Sequence, residues 1–177
     1  MSSNQRVESG VFPVHANDFE VLVAGEYGSD DAVWESPAEL EEISLKIDNV
    51  TETWNSFAQK GWQSALVTGK AAELSIKGKR CIGDRGNDLI ASKTLKTGQD
   101  AYISARIKGA DGTAIEWEKM ACAVENDGKG GKATDAAPLE ATLTAHGKPV
   151  ETVITDEQTS SEETTGEETT GEEGTEE

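Results

Sequence analysis

The residues that most often do chemistry are sparse here and badly spaced for it. His15 and His146 are the only histidines, and neither has a partner at metal-ligand spacing. Both read as partly exposed polar side chains. No Cys-x-x-Cys, His-Glu-x-x-His or Gly-x-Ser-x-Gly occurs, so zinc chemistry and a nucleophile elbow have no local signature. Gly83-Asp84-Arg85-Gly86-Asn87-Asp88 offers glycines beside a helix start, as a phosphate site would. It lacks both the Gly-x-Gly-x-x-Gly spacing and a following Gly-Lys-Ser/Thr, and it reads as a tight strand-to-helix turn. Gly128-Lys129-Gly130-Gly131-Lys132 also misses the P-loop spacing and reads as a flexible hairpin tip. Asn126-Asp127-Gly128 lacks the remaining ligands of a calcium loop.

Carboxylates are plentiful, but no two are singled out as a general acid and base. Cys81 and Cys122 read as reduced, buried, small apolar residues. The four tryptophans carry more information. Trp117 is in phase with Ile115 along a strand and is expected in the core. Trp54 and Trp62 flank a polar stretch, where a large aromatic either plugs the domain edge or anchors a partner.

The elements that would position these groups are mostly strands. Phe19 to Ala24 is a short apolar run. Ser36-Pro37-Ala38-Glu39 has the form of a capping box with Pro at the first helical position, which predicts one or two helical turns. From Glu42 the period becomes two: Glu42, Ser44, Lys46 and Asp48 alternate with Ile43, Leu45 and Ile47. Residues 49–61 read as a polar linker. Residues 63–68 and 71–77 read as two strands, with Gly69-Lys70 as the turn between them. Asp84 is the expected N-cap of a helix from Arg85 to Leu95, stopped by Gly98. Strands follow at 101–107, 114–125 and 139–146, the first two forming a hairpin. About seven strands and one helix predict a mainly β fold: a β-sandwich or partly closed barrel with one flanking α-helix.

Charge divides the chain. Of 34 acids, ten lie between Thr155 and Glu177, where there is no basic residue and no aromatic. The remaining 24 acids face 16 basic residues, so the formal charge of −18 divides into −8 and −10. That final segment repeats Glu-Glu-Thr-Thr-Gly from Glu162 and again from Glu167, and it is expected to be disordered. The expected organisation is an arm over 1–12, a β domain over 13–154 and an acidic tail over 155–177. A body of that length can hide roughly 70% of its unfolded surface. No apolar run is long enough for a membrane span, and Met1 to Arg6 leads into no apolar region. The chain is therefore expected to stay in the cytosol where it is made, and the sequon Asn49-Val50-Thr51 to go unused. The acidic balance disfavours tight nucleic-acid binding, which needs basic residues to neutralise phosphates.

A family likeness is carried by Thr53-Trp54-Asn55-Ser56 through Gly61-Trp62-Gln63, then Thr68-Gly69-Lys70, Ser75-Ile76-Lys77-Gly78-Lys79-Arg80 and Gly83 to Asp88. In this order, and over roughly Val11 to Val153, the chain resembles the tail-tube proteins of long-tailed, siphovirus-type bacteriophages. The resemblance implies hexameric rings stacked into a hollow tube that delivers DNA. It also implies no chemistry, no cofactor, and a location in the virion tail after assembly in the host cytoplasm. The implied partners are further copies of the chain, the tape measure protein, and the tail terminator and tip proteins; DNA would pass without tight binding.

Within that reading, Glu42, Ser44, Lys46, Asp48, Glu73, Ser75 and Lys77 are the candidates to line the channel, against the plainer reading of an ordinary solvated outer face. Trp54, Phe57, Trp62 and Trp34, with the N-terminal arm, are candidates for contacts between subunits or rings. The acidic tail is expected on the outside of the tube. The inner tube of a contractile tail or phage-like particle is a close alternative. A monomeric β-sandwich binding carbohydrate or a host surface is a second, and a small enzyme using unmarked carboxylates is a third.

Overall fold

The computed structural model describes residues 10–153; residues 1–9 of the expected arm and the whole acidic tail lie outside them. Eight strands and one α-helix are described: β1 (Asp18–Ala24), β2 (Val33–Glu35), β3 (Leu40–Asn55), β4 (Gln63–Lys79), α1 (Arg85–Ala91), β5 (Tyr102–Lys108), β6 (Thr113–Asp127), β7 (Pro138–Ala145) and β8 (Val150–Val153). They form one antiparallel sheet in the order β2-β1-β5-β6-β7-β4-β3, with β8 beside the start of β6. The sheet does not close, so the mainly β, partly closed arrangement with one helix is as expected. Its inner face is apolar: Phe19, Val21, Leu74, Ile76, Ile103, Trp117, Met120, Leu139 and Leu143 are all buried, and Ile90 of α1 joins them. Burying such side chains contributes about 1.5–3 kcal/mol each. Trp117 is therefore in the core, as its phase on the strand requires. Both cysteines are free, and burial pushes the Cys122 thiol up to about 11, which keeps it protonated and unreactive.

The turn over Gly83 to Asp88 is a structural device. Asp84 caps α1, accepting from Asn87 N at 2.7 Å and from Ala38 N at 3.2 Å. Fully buried Asn87 donates to the carbonyls of Lys79 and Ala38 and accepts from Cys81 N and Arg80 Nη1. One amide thus joins the end of β4, the helix and the segment leading into β3.

Four expectations are corrected. Ser36 to Glu39 starts no helix: Glu39 takes a left-handed φ of 59° and its carbonyl accepts from Lys79 N at 2.9 Å, so tertiary bonds override the capping pattern. The helix stops at Ala91 rather than Leu95, and turns follow. Gly69-Lys70 is no turn, because Val50 lies opposite Gly69 and Asn49 opposite Lys70 in the β3–β4 ladder, which continues past a register shift between Val50 and Thr51. The "linker" over 49–61 is the second half of β3 and the tip of a long hairpin. Strands β2 and β8, three and four residues long, were not expected at all.

Candidate assembly surfaces

The seven residues proposed to share one wet face do share it. In the β3–β4 ladder Glu42 lies opposite Lys77, Ser44 opposite Ser75, Lys46 opposite Glu73, and Asp48 opposite Ala71. Behind them Ile43, Leu45 and Ile47 lie opposite Ile76, Leu74 and Ala72 of the core face. Lys46 and Asp48 pair at 2.9 Å, and that hydrogen bond raises the lysine pKa. The pair is largely exposed and adds little stability.

The same face continues over strands that the sequence reading did not attach to it. Glu140, Thr142 and Thr144 of β7 lie opposite Lys77, Ser75 and Glu73. Ala121 and Ala123 of β6 lie opposite Thr144 and Thr142, and Glu125 accepts from the Thr142 hydroxyl at 2.9 Å. Across four strands the surface is built of short Ser, Thr and Ala side chains, with Glu42, Asp48, Glu73, Glu125 and Glu140 against Lys46 and Lys77. It is polar and, over the charged residues named, net acidic. The alternation of β7 was visible in the sequence, but its neighbours in the sheet were not.

Pairing of β4 with β7 ends at Glu73 and Thr144, while the β3–β4 ladder runs on to Asn55 and Gln63. This distal half is a two-stranded ribbon exposed on both faces, with Val50, Trp54, Leu66 and Val67 all open to solvent. Such a ribbon has little stability alone. Its tip is well built: a 3₁₀ turn over Phe57–Gln59, Lys60 and Gly61 at positive φ, and a Trp62 N to Gln59 O bond of 3.1 Å. Phe57 is 105% exposed and Trp62 79%.

Trp34 lies apart from these three aromatics. It is half-buried on β2, with the Arg106 guanidinium 4.5 Å over its ring and Tyr27 edge-on at 6.3 Å. Arg106 in turn pairs with Glu20 and, at 3.5 Å, with Glu116. The structure thus gathers Trp54, Phe57 and Trp62 on the ribbon and ties Trp34 into the domain surface.

Among the described residues no group of three or more His, Cys, Asp or Glu is placed to hold a metal ion. His146 packs on the Tyr102 ring at 5.5 Å. No helix among them is long and apolar enough to cross a membrane.

No family model matches the sequence, and no curated protein matches it. Solved structures do match the fold. The tail of an empty gene transfer agent particle, refined with helical and C6 symmetry, superposes with a TM-score of 0.62 at 16% identity, covering 81% of this chain and 100% of that one. The chain shares its fold with a chain of that tail. A protein of the native gene transfer agent virion gives 0.54 at 18% identity over 68% and 89% of the two chains. The sheath/tube terminator of an extracellular contractile injection system gives 0.52 at 14% identity over 83% and 100%.

Proposed function

We propose that the chain is a structural, non-enzymatic subunit that assembles with copies of itself into stacked hexameric rings, forming a tail tube for DNA delivery. The observation that carries this reading is the four-strand surface of β3, β4, β7 and β6. Its inner side is core, and its outer side is polar and, over the charged residues named on it, net acidic. As the channel lining it would offer phosphates few cations to hold, so DNA could slide. The fold match to a helical tail supports the same role. The free edges of β3 and β2 support it too, since exposed edges invite pairing with another chain and a closed ring removes them.

The partners in this reading are the tape measure protein and the terminator and tip proteins of the same tail. The location is the virion tail, after assembly in the host cytoplasm. A siphovirus-type tube is our first choice. The fold match to a tube terminator favours one second reading, a ring that caps a tube in place of extending it. Negative-stain images of the purified protein test both. Long hollow tubes support the tube subunit, isolated rings support the cap, and small globules at every concentration refute both.

A further inference from the structure

We propose that the start of the acidic segment, Ile154 to Glu163, folds back over the groove between β3 and β8 of its own chain. Ile154 seats on the apolar walls, and the carboxylates are held by Lys70 and Lys148. The contact belongs to the single chain and does not depend on the tube reading.

The groove has a volume of about 670 Å³ and lies where the sheet splits. β4 parts from β7 beyond Glu73 and Thr144, and β8 lies beside the start of β6. Leu45 and Ile47 form one wall, and Ile115 and Pro149 the other. Leu45 and Ile115 also border a smaller cavity of about 260 Å³ beside Phe19 and Ile107. Leu45 and Ile47 remain 37% and 43% exposed, so this apolar seam lacks a cover among the described residues.

Charge selects the cover. The charged side chains lining the groove are Lys70, Lys148 and Glu151, a net positive rim on an acidic chain. Neither lysine forms an ion pair among the described residues. The fitting occupant brings carboxylates and an apolar foot. Residues 1–9 hold one acid, Glu8, and one base, Arg6, so the rim does not select them.

Position points the same way. The described chain ends on β8 at Val153, opposite Thr113. No strand among the described residues pairs with the other edge of β8, so a chain turning back there meets free backbone groups. Ile154 comes next and is the only apolar side chain from there to Glu177. Asp156, Glu157, Glu162 and Glu163 follow, with no basic residue among them. Val153 lies five residues past Lys148, roughly 17 Å of strand, whereas the ten residues from Ile154 to Glu163 span up to ~33 Å. The segment therefore reaches back to the lysines with slack. Lys129 and Lys132 are poorer anchors: they follow the far end of β6, and Lys129 is already paired with Asp127. Exposed ion pairs are weak singly. A tethered segment meets its site at an effective concentration on the order of millimolar, so weak contacts suffice.

The test uses dissociated subunits of the full chain at low salt. A carbodiimide joins a lysine amine to a carboxylate in contact with it, and mass spectrometry reads the linked peptides. Links from Lys70 or Lys148 to Asp156–Glu163 are expected within one chain, in a yield that dilution leaves unchanged. They should exceed links from exposed Lys132 by roughly fivefold and be lost in about 1 M salt. Ile154→Ser keeps both lysines and should lower the yield severalfold. Lys70→Glu/Lys148→Glu should speed Glu-specific proteolysis after Glu157 toward the rate after Glu172, with circular dichroism unchanged. Equal linking at Lys132 and at the groove lysines would overturn the proposal. So would a proteolysis ratio that the double variant does not move. Links that fall on dilution would assign the groove to the segment of a second copy and overturn it too.

Discussion

The Asn87 side-chain oxygen accepts from Arg80 Nη1 at 2.7 Å while its amide nitrogen donates to the Lys79 carbonyl at 2.9 Å. With Ala38 O and Cys81 N the same side chain serves four partners in a dry site. Asn87→Ala would leave those groups unpaired, so a loss of about 3 kcal/mol or more is expected. Urea denaturation measures it. A loss below about 1 kcal/mol would mean that water or a shifted backbone replaces the amide.

Beside it, Arg80 pairs with Asp88 at 2.5 Å, and this hydrogen bond holds the Asp88 carboxyl below its ordinary range. A folded pKa below the unfolded one stabilises at pH above the unfolded value, and the gain is lost as pH falls through the folded value. The stability difference between the parent and Asp88→Asn should therefore be constant above about pH 5 and shrink below about pH 4. A difference that grew in acid would contradict the pairing.

Two glycines of β4 should respond oppositely. A Cβ on Gly78 would lie 2.3 Å from Glu39 O and 2.8 Å from Leu40 Cα, both backbone atoms held by the Lys79 N to Glu39 O bond. Gly78→Ala should cost about 1–3 kcal/mol. A Cβ on Gly69 would meet only Val50 side-chain atoms, at 3.5 Å, an ordinary contact. Gly69→Ala should be neutral, or stabilising by about 0.5–1 kcal/mol. Thermal unfolding of the two variants checks the contrast.

The contrast also marks what could be read from the sequence. Residues 42–48 and 139–145 declare themselves as strands because one face meets the core and the other meets water, and that asymmetry writes a period of two. Past Asp48 neither face of the ribbon meets the core. Asn49, Thr51, Thr53 and Asn55 then resemble a linker, and Gly69 resembles a turn, although both stretches are held by pairing with each other. The capping pattern at Ser36 lost to contacts made by Asn87 and Lys79, residues far along the chain. The face shared by Glu42 and Lys77 was legible from alternation alone. Its extension over Thr142 and Ala123 needed the order of strands in the sheet, which no local pattern carries.

The acidic segment gives a prediction of a different kind. Removing Thr155 to Glu177 takes ten negative charges from each copy and reduces the formal charge from −18 to −8. Like charges brought together in an assembly repel, most strongly at low salt. Truncated protein should therefore form tubes as well as the full chain does, or better at low ionic strength. Sedimentation across a salt series reads this, and loss of tubes on truncation would assign the segment a part in assembly.

The acidic face can be tested by inverting it. Glu42→Gln, Asp48→Asn and Glu140→Gln remove three negative charges, and Ser44→Lys with Thr144→Lys adds two positive ones. The face then moves from −3 to +2 per copy, counting the charged residues named on it. Ser44 lies opposite Ser75 and Thr144 opposite Glu73, so neither new lysine faces another lysine directly across the ladder. The fold should survive, since like charges directly opposite one another are avoided. If this face lines the channel, tubes assembled with short double-stranded DNA should now retain it and release it as salt rises, because each phosphate contact displaces counterions. Parent tubes should sediment without DNA. The location needs its own control: a bulky thiol reagent should label Ser44→Cys in dissociated subunits and fail to label it in intact tubes. Equal labelling in both would put the face on the outer wall and end the lumen assignment, whatever the inverted variant binds.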